Sequence, residues 1–161
     1  MQLLNQYKPG LFFMFLLALA ILPTGCSKQA IQTAGVHYVG NQNKSITLTS
    51  TGFGKNKKDA IFNAEKNAFD VLLFKGVPGS PYEKPIVTTP ESTTKSKNAN
   101  FFKGFYDEYG YKGFVTNSRI ISPGSKDKQT NKIMAGVEIT INVPSLRRNL
   151  EQQGITQKFG L

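Results

Sequence analysis

One cysteine, one histidine and ten acidic residues are the groups in this 161-residue chain that could do nucleophilic, metal or acid–base chemistry. With only Cys26 and His37, neither a disulfide framework nor a Cys or His cluster for zinc can be built within the chain. A nucleophile–base pair would have to draw on His37 alone, and a single imidazole beside Tyr38 in a polar stretch is ordinarily a surface or edge residue. Asp107 and Glu108 are adjacent, so on a helix they point in different directions and do not converge as a paired acid and base. No residue set nominates catalysis, and no enzyme activity, metal or cofactor is expected. A small hydrolase using serine or carboxylate chemistry stands last among the alternatives.

Binding chemistry is better represented. Lysine and arginine number 20 against 10 acids, a formal +10. Most of the lysines read as a solvated surface, but Lys55, Lys57 and Lys58 sit at the start of a helical pattern, where cations oppose the helix dipole. That placement points to an acidic partner: a lipopolysaccharide phosphate, a polysaccharide or an anionic protein, met together with Arg147 and Arg148 if the fold brings them near. Phe101, Phe102, Phe105, Tyr106 and Tyr109 recur on one side of a short helix closed by Gly110. They either pack over the flank of a small sheet or leave Tyr106, Tyr109 and Tyr111 as a docking surface for sugar, peptidoglycan or protein. Gly52-Phe53-Gly54 before a helix invites a phosphate-loop reading. It fails because the third glycine of a dinucleotide fingerprint would fall at Lys57, so the pair reads as a tight strand-to-helix turn.

The elements that must position these groups begin after an export-like segment. Lys8 precedes an unbroken apolar run over residues 11–22, too short for the roughly 20 residues of a spanning helix and suited to a signal-peptide core. Leu22-Pro23-Thr24-Gly25-Cys26 resembles the lipobox of bacterial lipoproteins. The resemblance implies a diacylglyceryl thioether on Cys26, cleavage just before it, and a chain tethered to a membrane by acyl groups, each buried CH2 contributing about 0.8 kcal/mol. Ser27-Lys28 lacks the aspartate that retains some lipoproteins in the inner membrane, so the outer membrane is expected. Removing residues 1–25 takes away one lysine and no acid, leaving 19 basic residues against 10, a formal +9. An exported chain rarely meets nucleic acid, and none is expected as partner.

The remaining organisation reads as a lipidated tether over 26–44 with a short strand at 36–39, one domain over 45–155 with an insertion at 76–112, and a tail over 156–161. Residues 45–51 alternate apolar and β-branched polar side chains as a half-buried strand does. Asn56 caps a helix over 57–75 with Ala60, Ala64 and Ala68 in a ladder, ended by Gly76. Residues 76–97, rich in Pro, Gly, Ser and Thr, read as a long exposed loop. Strands over 113–122 and 133–143 flank a polar hairpin, and Pro144 opens a short amphipathic helix. The predicted class is α+β, a βαββ(α) layer of one long helix on a small antiparallel sheet. Gly52 and Gly54 followed by Ala60, Ala64 and Ala68 make it similar to the domain shared by small envelope lipoproteins and the N-terminal domain of the flagellar outer-membrane T-ring protein. That resemblance implies a dodecin-like layer acting in scaffolding or assembly, with no catalytic residue. The expected function is a lipid-anchored envelope protein that binds other envelope components, with a peptidoglycan- or polysaccharide-binding lipoprotein using residues 101–111 as the alternative. Its partners would be the membrane through its acyl chains and an envelope protein, glycan or anionic lipid; self-association is left open.

Overall fold

Period-2 alternation at Ile46, Leu48 and Ser50 and again at Ala135, Val137, Ile139 and Ile141 buries these residues on one face of a sheet. In the computed structural model, which describes residues 35–128 and 130–157, that sheet has four antiparallel strands: β1 (His37–Gln42), β2 (Ser45–Gly54), β3 (Val115–Lys126) and β4 (Ile133–Asn142). Their order is β1-β2-β4-β3, and β2 and β4 pair in unbroken register from Ser45 with Asn142 to Gly54 with Ile133. The fold is α+β. Cys26, the apolar run before it and most of the tail lie outside the described residues.

The main helix α1 (Lys57–Phe74) crosses the buried face of β2. Asn56 caps it: its Oδ1 accepts from Asp59 N at 2.9 Å, while its amide donates to Asp59 Oδ2 at 2.9 Å. Ala60, Ala64 and Ala68 are fully buried against the sheet. Gly52 and Gly54 do not form the expected strand-to-helix turn, because both lie inside β2 beneath this ladder. A Cβ on Gly52 would collide with the backbone of Ala60 and Ala64 and stand 2.7 Å from the carbonyl carbon of Asn63. A Cβ on Gly54 would stand 2.6 Å from Asp59 Cβ and collide with Ala60 N. Missing side chains on the strand and small ones on the helix therefore set the closeness of the two backbones. Ser50 Oγ donates to Ala64 O at 2.7 Å in the same seam. Asn67 and Asn63 donate to Thr51 O at 2.9 Å and Phe53 O at 2.7 Å, two carbonyls beyond Thr49, the last β2 residue paired with β1.

The sheet starts earlier than residue 45. His37–Gln42 belongs to it, so the tether boundary at 44 is corrected: Val36 is buried, Tyr38 packs on the core, and Asn43 and Lys44 adopt positive φ of 49° and 63° as the two-residue hairpin turn.

Residues 76–97 likewise are not an exposed loop. Val77, Ile86 and Val87 are buried, and the Ile86 and Val87 amides donate to Leu72 O at 3.4 Å and Leu73 O at 2.9 Å, carbonyls in the last turn of α1. The proline-rich segment thus closes a helix end, a role that leaves no periodicity in sequence. Next come α2 (Glu91–Lys97) and α3 (Ala99–Phe102), a π turn (Lys103–Asp107) and a 3-10 turn (Gly110–Phe114) in place of one short helix. Tyr109, at φ 60°, breaks the run. Finally α4 (Val143–Gln152) starts at Asn142, whose Oδ1 accepts from Ser145 N at 3.0 Å, and buries Leu146 and Leu150.

Candidate functional site

The β2–α1 junction exposes Lys55, Lys57 and Lys58. Strand pairing brings a second group to the same end of the domain. Gly54 pairs with Ile133 and Ile133 with Lys126, so the β3–β4 hairpin, carrying exposed Lys126, Lys128 and Lys132, lies beside the helix start. Lys57 Cγ stands 3.5 Å from where a Cβ on Gly124 would be, so its stem runs along β3. The acids here are Asp59, engaged in the Asn56 cap, and Asp127, whose Oδ1 accepts from Thr130 N and Oγ1, both at 2.7 Å. Six lysines against these two acids leave a formal +4. Arg147 and Arg148 do not join them: α4 follows the far end of β4, 10 residues or roughly 30 Å along the strand from Ile133. The hairpin lysines escape a sequence reading because periodicity identifies strands without saying which strand ends meet. Lys126-Asp127-Lys128 in a polar turn was the available signal.

The aromatic segment turns inward. Tyr111 is fully buried and donates to Glu65 Oε2 at 2.6 Å, while Ser118 donates to Glu65 Oε1 at 3.0 Å. Tyr106, also buried, donates to Asp70 Oδ1 at 2.6 Å. Lys95 Nζ bridges Asp70 at 2.8 Å and Glu91 at 2.7 Å and lies 5.1 Å from the Tyr106 ring centre. Burial would lower the Lys95 pKa, but the hydrogen bonds and charges of Asp70 and Glu91 more than offset it and hold the ammonium above its ordinary value. Burial, then the charge and hydrogen bond of Asp70, push the Tyr106 phenol far up; burial, then the hydrogen bond to Glu65, do the same to Tyr111. Tyr106 and Tyr111 are therefore corrected from a docking surface to core residues, since carboxylates on α1 satisfy their hydroxyls inside the domain. Tyr109 is 43% exposed, edge-on to Phe62 at 5.4 Å with Lys112 over its ring at 5.3 Å.

On the open face of the sheet Arg119 forks onto Glu138, with Nε to Oε1 at 2.7 Å and Nη2 to Oε2 at 2.9 Å. The Arg119 hydrogen bonds and charge hold the Glu138 carboxyl below its ordinary value. A depressed folded pKa gives stability that is present above the unfolded value and lost as pH falls through the folded one. In Arg119→Gln the Glu138 carboxyl resonance should titrate at a higher midpoint than in the parent protein; an unchanged midpoint refutes the coupling.

At the end away from the lysines, Tyr82, Lys84, Pro85, Ile86, Arg147 and Thr156 line an open groove of about 730 Å3. Arg147 Nε stands 3.6 Å from Glu151 there. Among the described residues no group of three or more His, Cys, Asp or Glu side chains could hold a metal, and no helix is long and apolar enough to cross a membrane. His37 is exposed at the start of β1. Compared with family models, curated proteins and solved structures, the chain finds no match.

Proposed function

We propose that this protein is a lipid-anchored component of the bacterial cell envelope, acylated at Cys26 and held at the outer membrane, whose domain binds and scaffolds other envelope components without catalysing a reaction. The observation that carries the binding part is the lysine end, where two separate elements gather six exposed ammonium groups against two acids engaged in local caps. The acids on α1 at Glu65 and Asp70, by contrast, are absorbed in holding the domain together: buried Glu65 binds Tyr111 and Ser118, and half-buried Asp70 binds Tyr106 and Lys95. The anchoring part rests on the apolar run and on Leu22-Pro23-Thr24-Gly25-Cys26. The kinship with small envelope lipoproteins rests on Gly52 and Gly54 at the end of β2, followed by Ala60, Ala64 and Ala68 in α1. Glycan binding by residues 101–111 is disfavoured by the inward-facing Tyr106 and Tyr111.

Anchoring is tested by Cys26→Ala in intact cells. The variant should leave the membrane fraction and incorporate no labelled fatty acid. A variant that stays membrane-bound and labelled overturns the reading.

A further inference from the structure

We infer that the lysine end is the face the domain lays against anionic lipid headgroups of its own membrane, a second contact beside the acyl anchor; the inference rests on lipidation at Cys26. Gly35, the first described residue, borders β2: an added Cβ there would stand 3.1 Å from Thr51 Oγ1. Thr51 is three residues from Gly54 at the lysine end, roughly 10 Å along the strand, but six from Ser45 at the opposite end, roughly 20 Å. Gly35 is nine residue steps along the chain from Cys26, a reach of at most about 30 Å. A lipidated Cys26 therefore keeps the domain close to the bilayer and attached on the side nearer the lysines. Attraction to a charged surface fades within a Debye length of about 8 Å at physiological salt, so a patch far from its anchor would gain little, whereas this one is held within reach.

The groups suit a plane of phosphates. Ammonium groups are point charges on flexible stems, without the planar fork by which arginine selects one bidentate ligand. Lys55, Lys57 and Lys58 come from the helix start and Lys126, Lys128 and Lys132 from the hairpin, so the charge spreads across the width of an end instead of converging on one atom. The positive end of the α1 dipole adds to the same field. Asp59 and Asp127, the acids on this surface, leave the formal charge at +4. Tethering raises the effective concentration of headgroups, so a contact too weak to recruit a free domain can still fix the orientation of an anchored one.

The test uses the processed, acylated protein recovered from membranes and reconstituted into vesicles of phosphatidylcholine alone or with about one third phosphatidylglycerol. Lysine reactivity is read by amine acetylation and mass spectrometry. The six lysines should react several-fold more slowly on anionic than on neutral vesicles, while Lys44, Lys75 and Lys84 at the opposite end change little. Protection should vanish at about 0.5 M salt, where screening leaves only a few ångströms of reach. Lys57→Gln/Lys58→Gln/Lys126→Gln should remain anchored and lose protection at Lys55, Lys128 and Lys132. Equal reactivity on both vesicles, with the protein bound to each, overturns this inference and leaves the anchor intact. Binding to neither overturns the anchor and the inference together. Protection reproduced by inorganic phosphate on neutral vesicles overturns the membrane contact in favour of a free anion.

Discussion

Gly52→Val is expected to destabilise the domain by about 3 kcal/mol or more, at the upper end of what overpacking costs. At most over-packed positions a neighbouring side chain swings aside. Here the atoms in the way are Ala64 N, Ala60 O and the carbonyl carbon of Asn63, all backbone of α1, so the helix as a whole must lift from β2. Lifting it would also part Ser50 Oγ from Ala64 O and the Asn63 and Asn67 amides from their strand carbonyls. Urea unfolding of Gly52→Val beside Gly40→Ala makes the comparison, since nothing lies within 4 Å of a Cβ on Gly40. A Gly52→Val protein as stable as Gly40→Ala would refute the backbone-contact account.

The alanine ladder that meets Gly52 was legible in sequence because spacing of four is a local property of a helix. What the glycines do was not. A glycine pair before a helix has the same local appearance whether it turns the chain or admits a neighbouring backbone, and only the register of β2 beneath α1 separates the two. Long-range placement was the missing information in each of the other corrections too. The proline-rich stretch carries Val77, Ile86 and Val87 into the core at positions dictated by the end of α1 and by no period of its own. The strands over 45–51 and 133–143, with strong alternation, were readable nearly to their ends.

Loss of the Tyr111 side chain should be comparably damaging. Tyr111→Ala empties a fully buried site bordered by Phe62, Phe69 and Phe105 and should cost about 3–5 kcal/mol. Tyr111→Phe keeps the ring but leaves the nearly buried Glu65 with Ser118 as its remaining side-chain donor, for about 1–3 kcal/mol. Because the Phe variant acts through Glu65, adding Glu65→Gln to it should cost clearly less than the sum of the single changes. Denaturant midpoints of the four proteins decide the matter; additive losses would mean that the hydroxyl and the carboxyl act independently. The candidate surface was half legible for a related reason. Lys55, Lys57 and Lys58 announce themselves by opposing a helix dipole, whereas exposed and buried tyrosines look alike until their hydroxyl partners, 46 residues apart for Tyr111 and Glu65, are brought together.

The amides of Asn63 and Asn67 have a consequence for neighbours as well as for α1. Thr51 O and Phe53 O lie beyond the last β1–β2 pair, and these two side chains occupy them. At the other margin β3 interrupts its pairing with β4 at three register shifts and carries Pro123, although Ile120 and Ile121 are exposed along it. Copies crowded on a two-dimensional surface collide edge to edge far more often than copies in solution, and an unbroken ladder would let them polymerise into a continuous sheet. Asparagine thus covers the β2 carbonyls beyond β1, leaving the six-residue β1 as the edge on that side, and bulges interrupt β3 on the other, so each margin offers a second copy only a short ladder to pair with.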